Sequence, residues 1–112
     1  MSYKELTTIE EWNEAFNGSA TRPVVVFKHS TTCPVSANAF KEFNDYLGDK
    51  PRADVDYLFV KVIESRPVSN QIAEDTEIKH ESPQIMLIDK KAKVWSASHW
   101  SITKEHMTAV LD

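Results

Sequence analysis

Three short runs of apolar residues, separated by segments with helical spacing, constrain the fold of this chain most strongly. The runs cover residues 24–27, 57–63 and 85–88 and consist largely of Val, Ile, Leu and Phe. Near-continuous apolar runs of this length, without the alternation of a half-exposed strand, are typical of strands that are covered on both faces. The chain is therefore predicted to form an α/β fold whose central strands are buried between helices.

The segments around these runs carry apolar residues at the three- and four-residue intervals of amphipathic helices. Prolines suit the first turns of two of these segments, and the two glycines of the chain suit helix ends. We therefore predict four helices: residues 7–17 with Thr7 or Thr8 as the cap, Pro34–Leu47, a segment that begins at Pro67, and a last segment capped by Ser101 or Thr103.

A fourth strand is predicted at residues 94–98, where apolar and polar residues alternate. It should run antiparallel to residues 85–88 after a turn, whereas the first two buried strands, joined by a helix, should be parallel with a right-handed connection. The prediction is a four-stranded mixed sheet with helices on both faces. Residues 3–6 give only a weak signal for a further short strand.

The length, charge and hydropathy of the chain exclude several classes of protein. Its 112 residues, without a repeat or a linker, predict a single domain over residues 1–112. The net charge of −4 and the lack of basic runs argue against nucleic acid as a partner. No signal-peptide core and no apolar stretch of roughly 18 residues is present, so no membrane contact is predicted. We expect a monomeric protein of the cytoplasm.

The chain has a single cysteine, Cys33, which rules out an internal disulfide. Cys33 follows the polar loop after the first buried run, and Pro34 opens the next predicted helix because its φ is preset for that position. A helix start offers unpaired N–H groups and a partial positive charge, which favour a thiolate. Cys33 is therefore predicted to be an accessible nucleophile. The alternative is a buried cysteine that acts as a small apolar residue.

The residues around Cys33 are predicted to support this thiolate. The backbone N–H groups of Val35 and Ser36 would point at the sulfur, and the Ser36 hydroxyl would donate a further bond. Lys28 and His29, at the end of the preceding strand, would add positive charge. The four histidines and the cysteine lack the spacing of a zinc site, so no metal is predicted.

Two motifs resemble those of the thioredoxin superfamily, and within it the YtxJ-type, or monothiol, bacilliredoxins. They are Thr32-Cys33-Pro34-Val35-Ser36 and Lys79-His80-Glu81-Ser82-Pro83-Gln84, and the order of elements extends the likeness over almost the whole chain. The resemblance implies a thioredoxin-like fold in which Pro83 follows a cis peptide bond against the cysteine turn. It also implies that Ser82 presents its backbone N–H and C=O to a thiol-bearing ligand.

The activity that this resemblance implies is removal of bacillithiol from mixed disulfides on protein cysteines. The partners would be S-bacillithiolated proteins and a low-molecular-weight thiol, with bacillithiol as a co-substrate and no other cofactor. Bacillithiol carries a malate with two carboxylates, for which Lys28, His29, Arg66 and His99 are the candidate ligands. Because Ser36 stands where thioredoxins have their second cysteine, one thiol would have to carry out the exchange.

Two other functions stay open at this point. In the first, two protomers hold a [2Fe–2S] cluster through Cys33 and two small thiols, although the Cys-Gly-Phe-Ser signature of cluster-binding monothiol glutaredoxins is absent. In the second, the chain is a thioredoxin-like interaction module whose thiol is a relic. The Gly-Gly and Asp with which glutaredoxins hold glutathione are also missing, so glutathione is not the expected ligand.

Overall fold

A mixed sheet between two layers of helices forms the centre of the computed structural model, which describes residues 3–49 and 52–111. The elements in chain order are β1 (Lys4–Glu5), α1 (Ile9–Gly18), β2 (Val24–His29), α2 (Pro34–Leu47), β3 (Asp56–Lys61), α3 (Arg66–Thr76), β4 (Gln84–Asp89), β5 (Ala92–Ser98), a 3₁₀ turn (His99–Ser101) and α4 (Lys104–Leu111).

The strands lie in the order β1-β3-β2-β4-β5. Strands β1 and β2 are both parallel to β3, whereas β4 is antiparallel to its two neighbours β2 and β5. The predicted mixed sheet with helices on both faces is therefore confirmed, with one correction to the number of strands. A fifth strand, β1, pairs Lys4 and Glu5 with the edge of β3. Two residues are too few for a periodic pattern, which is why this strand was only weakly indicated at residues 3–6.

The helix starts are set by local hydrogen bonds. Thr8, one of the two predicted caps, accepts a bond from the backbone N–H of Glu11, and the Glu11 carboxylate accepts one from the Thr8 N–H. At the last helix, the Thr103 hydroxyl accepts a bond from the His106 N–H, which decides between the two predicted caps. Helix α2 has the predicted bounds. Within the two described segments, no helix has the length and apolar character needed to cross a bilayer.

Strand β2 lies between β3 and β4, and all six of its residues are buried. Val25 and Phe27 belong to the core beneath α2 and α4. Val24 and Val26 belong to the core beneath α1 and α3. Successive residues of β2 thus contribute to opposite layers, as the pleat of a strand requires. The same alternation decides where the polar residues at the end of β2 point.

Candidate active site

Cys33 lies at the N-cap of α2, after the loop that leaves the end of β2. Its backbone is extended, with φ −104° and ψ 125°, and its C=O accepts the first bond of the helix, from Ala37 N–H at 3.0 Å. Pro34 follows at the start of the helix, as predicted. The residue is partly exposed. Cys33 therefore lies, partly exposed, at the positive end of a 14-residue helix dipole.

The predicted hydrogen bonds to the sulfur are not formed. The Cys33 side chain accepts no cap hydrogen bond from the first turn of α2, so the Val35 and Ser36 amides do not hold it. A thiol sulfur is a weak acceptor, which explains why this cap lacks the bond that a Ser or Asp would make. In the described conformation, Cys33 therefore lies at the N-terminus of α2 without a hydrogen bond from its first turn.

Ser36 is fully buried and binds the end of β2 instead of the sulfur. Its Oγ accepts a hydrogen bond from the backbone N–H of Ser30 at 2.8 Å and lies 2.9 Å from His29 Nδ1. The prediction of a bond from this hydroxyl to the sulfur is thereby corrected. The serine connects the first turn of α2 to the strand before it and so fixes the loop that carries Cys33. Neither partner was identified from the sequence, because the loop geometry decides both contacts.

His29 is buried on the same face of the sheet as α2. Its ring lies 4.7 Å from the ring of Phe40 and 5.5 Å from that of Phe59. Burial lowers the pKa of His29, and the charge of Glu64 offsets this only in part. His29 is consequently neutral at neutral pH. It does not supply the positive charge that the sequence predicted near the thiol.

Lys28 points to the opposite face of the sheet, toward α3, because neighbouring residues of a strand alternate. It is fully buried, and its Nζ donates to Ser69 C=O at 3.0 Å and lies 3.2 Å from His80 Nδ1. Burial lowers the pKa of Lys28 to about 8. The structure does not bring Lys28 and His29, which were predicted to act as a charged, ligand-binding pair, together at the surface. The two side chains lie on different faces and are bonded within the protein.

The Ser82–Pro83 peptide bond is cis, as the resemblance implied. Lys28 pairs with Gln84 across β2 and β4, so this peptide lies at the edge of the sheet where β2 ends and the cysteine loop begins. The Pro83 C=O accepts a hydrogen bond from His99 N–H at 3.0 Å. Ser82 Oγ is buried and has no hydrogen-bond partner among residues 3–49 and 52–111. The structure thus brings the two predicted motifs to one edge of the sheet.

Two further candidate ligands, Arg66 and His99, are exposed. Arg66 is the first residue of α3, which follows the end of β3 at the edge where the parallel strand β2 also ends. His99 Nδ1 lies 3.3 Å from a carboxylate oxygen of Glu81. The described part of the chain contains no group of three or more His, Cys, Asp or Glu side chains that could hold a metal ion.

Comparisons with known proteins agree with this geometry. A family model described as "Monothiol bacilliredoxin BrxC" matches residues 4–107. A solved structure described as a candidate oxidoreductase with a thioredoxin fold has a TM-score of 0.81 and 33% identity, over 96% of this chain and 91% of that chain. The thioredoxins of Malassezia sympodialis and Fasciola hepatica have TM-scores of 0.75 and 0.73, at 18% and 14% identity. They cover 98% and 96% of this chain and 88% and 95% of their own. At these identities they show the fold alone.

The lowered pKa of Lys28 predicts a pH dependence of stability. Its pKa is about 8 in the native state against 10.5 for an ordinary lysine, so the unfolded chain binds more protons between these values. Stability contributed by this group therefore rises with pH across that window. Relative to the variant Lys28→Met, the protein should gain up to about 3 kcal/mol of unfolding free energy from about pH 7 to about pH 10. Urea unfolding of both proteins measures this; parallel pH profiles would contradict it.

The bonds of Ser36 predict that Ser36→Ala destabilises the protein. The substitution leaves the Ser30 N–H and the His29 ring without their shared partner, which should cost about 1–3 kcal/mol of unfolding free energy. Chemical denaturation measures the loss, with Ser101→Ala, at an exposed serine, as the matched control. Equal stability of the two variants would show that the buried hydroxyl does not hold the loop.

Proposed function

The chain belongs to the monothiol bacilliredoxin family, and from this membership we propose that it removes bacillithiol from mixed disulfides on protein cysteines. Family and fold together make it a thioredoxin-like thiol oxidoreductase. The observation that carries the proposal that Cys33 performs the exchange is the position of this residue. The only thiol of the chain is partly exposed at the N-cap of α2, at the same sheet edge as the cis Ser82–Pro83 bond.

The reaction proposed for Cys33 has two exchange steps. In the first, its thiolate attacks the bacillithiol sulfur of the protein mixed disulfide. The S–S bond breaks, the protein cysteine leaves as a thiolate and takes a proton from solvent, and a Cys33–bacillithiol disulfide remains. In the second, the thiolate of another small thiol attacks the bacillithiol sulfur of this adduct. A low-molecular-weight disulfide leaves, and the Cys33 thiolate is regenerated.

Ser36 supports the proposal of a one-thiol cycle. It occupies the position from which a second cysteine would resolve the adduct, but an alcohol is far too weak an acid to displace a thiolate. Its hydroxyl is in addition buried and bonded to the end of β2. We therefore expect the Cys33 adduct to persist until a small thiol arrives, and ordinary protein disulfides not to be reduced by the dithiol route.

Recognition of the bacillithiol malate is proposed to involve exposed groups at the same edge of the sheet. Arg66 carries a guanidinium suited to a carboxylate and starts the helix that follows β3. The backbone of Ser82 is proposed to bind the disulfide-bearing segment as a strand would. His99, next to Pro83, is the further candidate. Lys28 and His29 are not included, because their side chains are buried and bonded within the protein.

Substrate choice is tested by offering one model protein in two forms, bacillithiolated and glutathionylated. We expect intact-mass spectrometry to show loss of bacillithiol from the first form and a bacillithiol adduct on Cys33, with much slower loss of glutathione from the second. Cys33→Ser should abolish both the release and the adduct, because no other thiol is present in the chain. Equal release of the two thiols, or release by Cys33→Ser, would overturn the proposal.

Ser36→Ala separates a resolving role from a supporting one. We expect this variant to keep substantial bacillithiol release under conditions where it is folded, since the proposed second step needs only an external thiol. The rate of adduct decay with added small thiol is the measurement. Complete loss of turnover in a folded Ser36→Ala protein would show that the hydroxyl takes part in the chemistry.

A further inference from the structure

A buried lysine lies beneath the loop that leads to the cis peptide. Among the described residues, the Lys28 ammonium has no carboxylate within ion-pair distance, and its bonds go to Ser69 C=O on α3 and to the ring of His80. His80 lies two residues before Ser82. Burial, and then the positive charges of Lys28 and Arg66, lower the pKa of His80, so at neutral pH its Nδ1 can accept a hydrogen bond from the Lys28 ammonium.

A second side chain holds the same loop from the same side. Gln84 is the cross-strand partner of Lys28 and is also buried. Its Nε2 donates to the backbone C=O of Lys79 at 3.0 Å. Two neighbouring donors on paired strands thus bind two successive residues of the loop, Lys79 and His80. Beyond them, the loop is bonded at Pro83 C=O by His99 N–H.

From these contacts we propose that Lys28 is a positioning residue, which through His80 holds the 79–83 loop so that the Ser82 backbone is in place for the substrate. The inference rests on the function proposed above, in which Ser82 binds the disulfide-bearing segment. Lys28 does not touch the substrate. It acts from the α3 side of the sheet, whereas the cysteine loop is held from the α2 side by Ser36.

The chemistry of Lys28 makes a purely structural role a poor explanation. A buried ammonium without a carboxylate destabilises the fold, and an apolar side chain of similar length would avoid that penalty. A hydrogen bond from Lys28 to His80 that positions the loop for substrate binding accounts for a lysine at this position. It predicts that Lys28→Met leaves the protein at least as stable near neutral pH while weakening substrate binding. A residue needed only for folding would lose stability and activity together.

The test compares Lys28→Met with Lys93→Met, a matched change at an exposed lysine of β5. We expect Lys28→Met to raise KM for a bacillithiolated model protein by about fivefold, the effect of one lost net hydrogen bond, with kcat little changed. The alkylation rate of Cys33 by iodoacetamide should stay within about twofold of the unmodified protein, because the loop that carries Cys33 is held from the other face of the sheet by Ser36. An unchanged KM would overturn the inference. A Cys33 alkylation rate in Lys28→Met that drops beyond this twofold limit would overturn it as well.

Substitutions of His80 test the same Lys28–His80 hydrogen bond from the side of the loop. His80→Leu should raise KM as Lys28→Met does, and the double variant should be no worse than either single one, since both remove one interaction. His80→Gln keeps an acceptor and should restore KM toward that of the unmodified protein. Effects that multiply in the double variant would show two independent roles and refute the proposal. If Lys28→Met does not fold, the comparison of His80→Leu with His80→Gln still shows whether the hydrogen bond to His80 is needed for substrate binding.

Amide hydrogen exchange distinguishes failure of this inference from failure of the proposed function. In Lys28→Met we expect the amide of His99, which donates to Pro83 C=O of the loop, to exchange about tenfold faster, with the Ala37 amide, which donates to Cys33 C=O, unaffected. If the unmodified protein releases no bacillithiol, the proposed function fails, yet the exchange rates still show whether Lys28 holds the loop. Unchanged exchange at His99 overturns the positioning role even when the protein is active.

Discussion

The pairing of β2 with strands on both sides, inside two layers of helices, is the constraint on which the rest of the structure depends. Because β2 is fully buried and hydrogen-bonded to β3 and β4, its end has one position relative to the sheet. The loop to Cys33 starts there, and the antiparallel register with β4 brings Ser82 and Pro83 to the same edge. The thiol and the loop proposed to receive its substrate are thus placed by one strand.

The cysteine turn combines a partly exposed cysteine with a buried, hydrogen-bonded serine that supports its loop. Cys33 makes no cap hydrogen bond, whereas Ser36, three residues later, is buried and bonded to Ser30 and His29. The residue that replaces a second thiol therefore contributes to the scaffold of the loop. This division is consistent with a single thiol that exchanges with small thiols from solution and does not rely on a neighbour to resolve its adduct.

The electrostatics of the site differ from what the charged residues near Cys33 suggest. His29 is neutral at neutral pH because burial lowers its pKa, and the charge of Lys28 lies on the other face of the sheet. Cys33 itself lies at the N-terminal end of α2, where the helix dipole is positive. Arg66, at the start of α3, is an exposed cation at this edge and is proposed to interact with carboxylates of a ligand.

The sequence by itself determined the elements and the place of the thiol. Proline, glycine and apolar spacing act within a few residues, so the bounds of Pro34–Leu47, the buried strands and the N-cap position of Cys33 could be predicted from local patterns. The alternation of a strand already implied that Lys28 and His29 diverge. Only the tertiary structure decided the partners of these two residues and added β1. Lys28 bonds to Ser69 and His80, and β1 pairs with β3, across segments that are far apart in the chain. His29 contacts Ser36 across a loop whose path is set by packing.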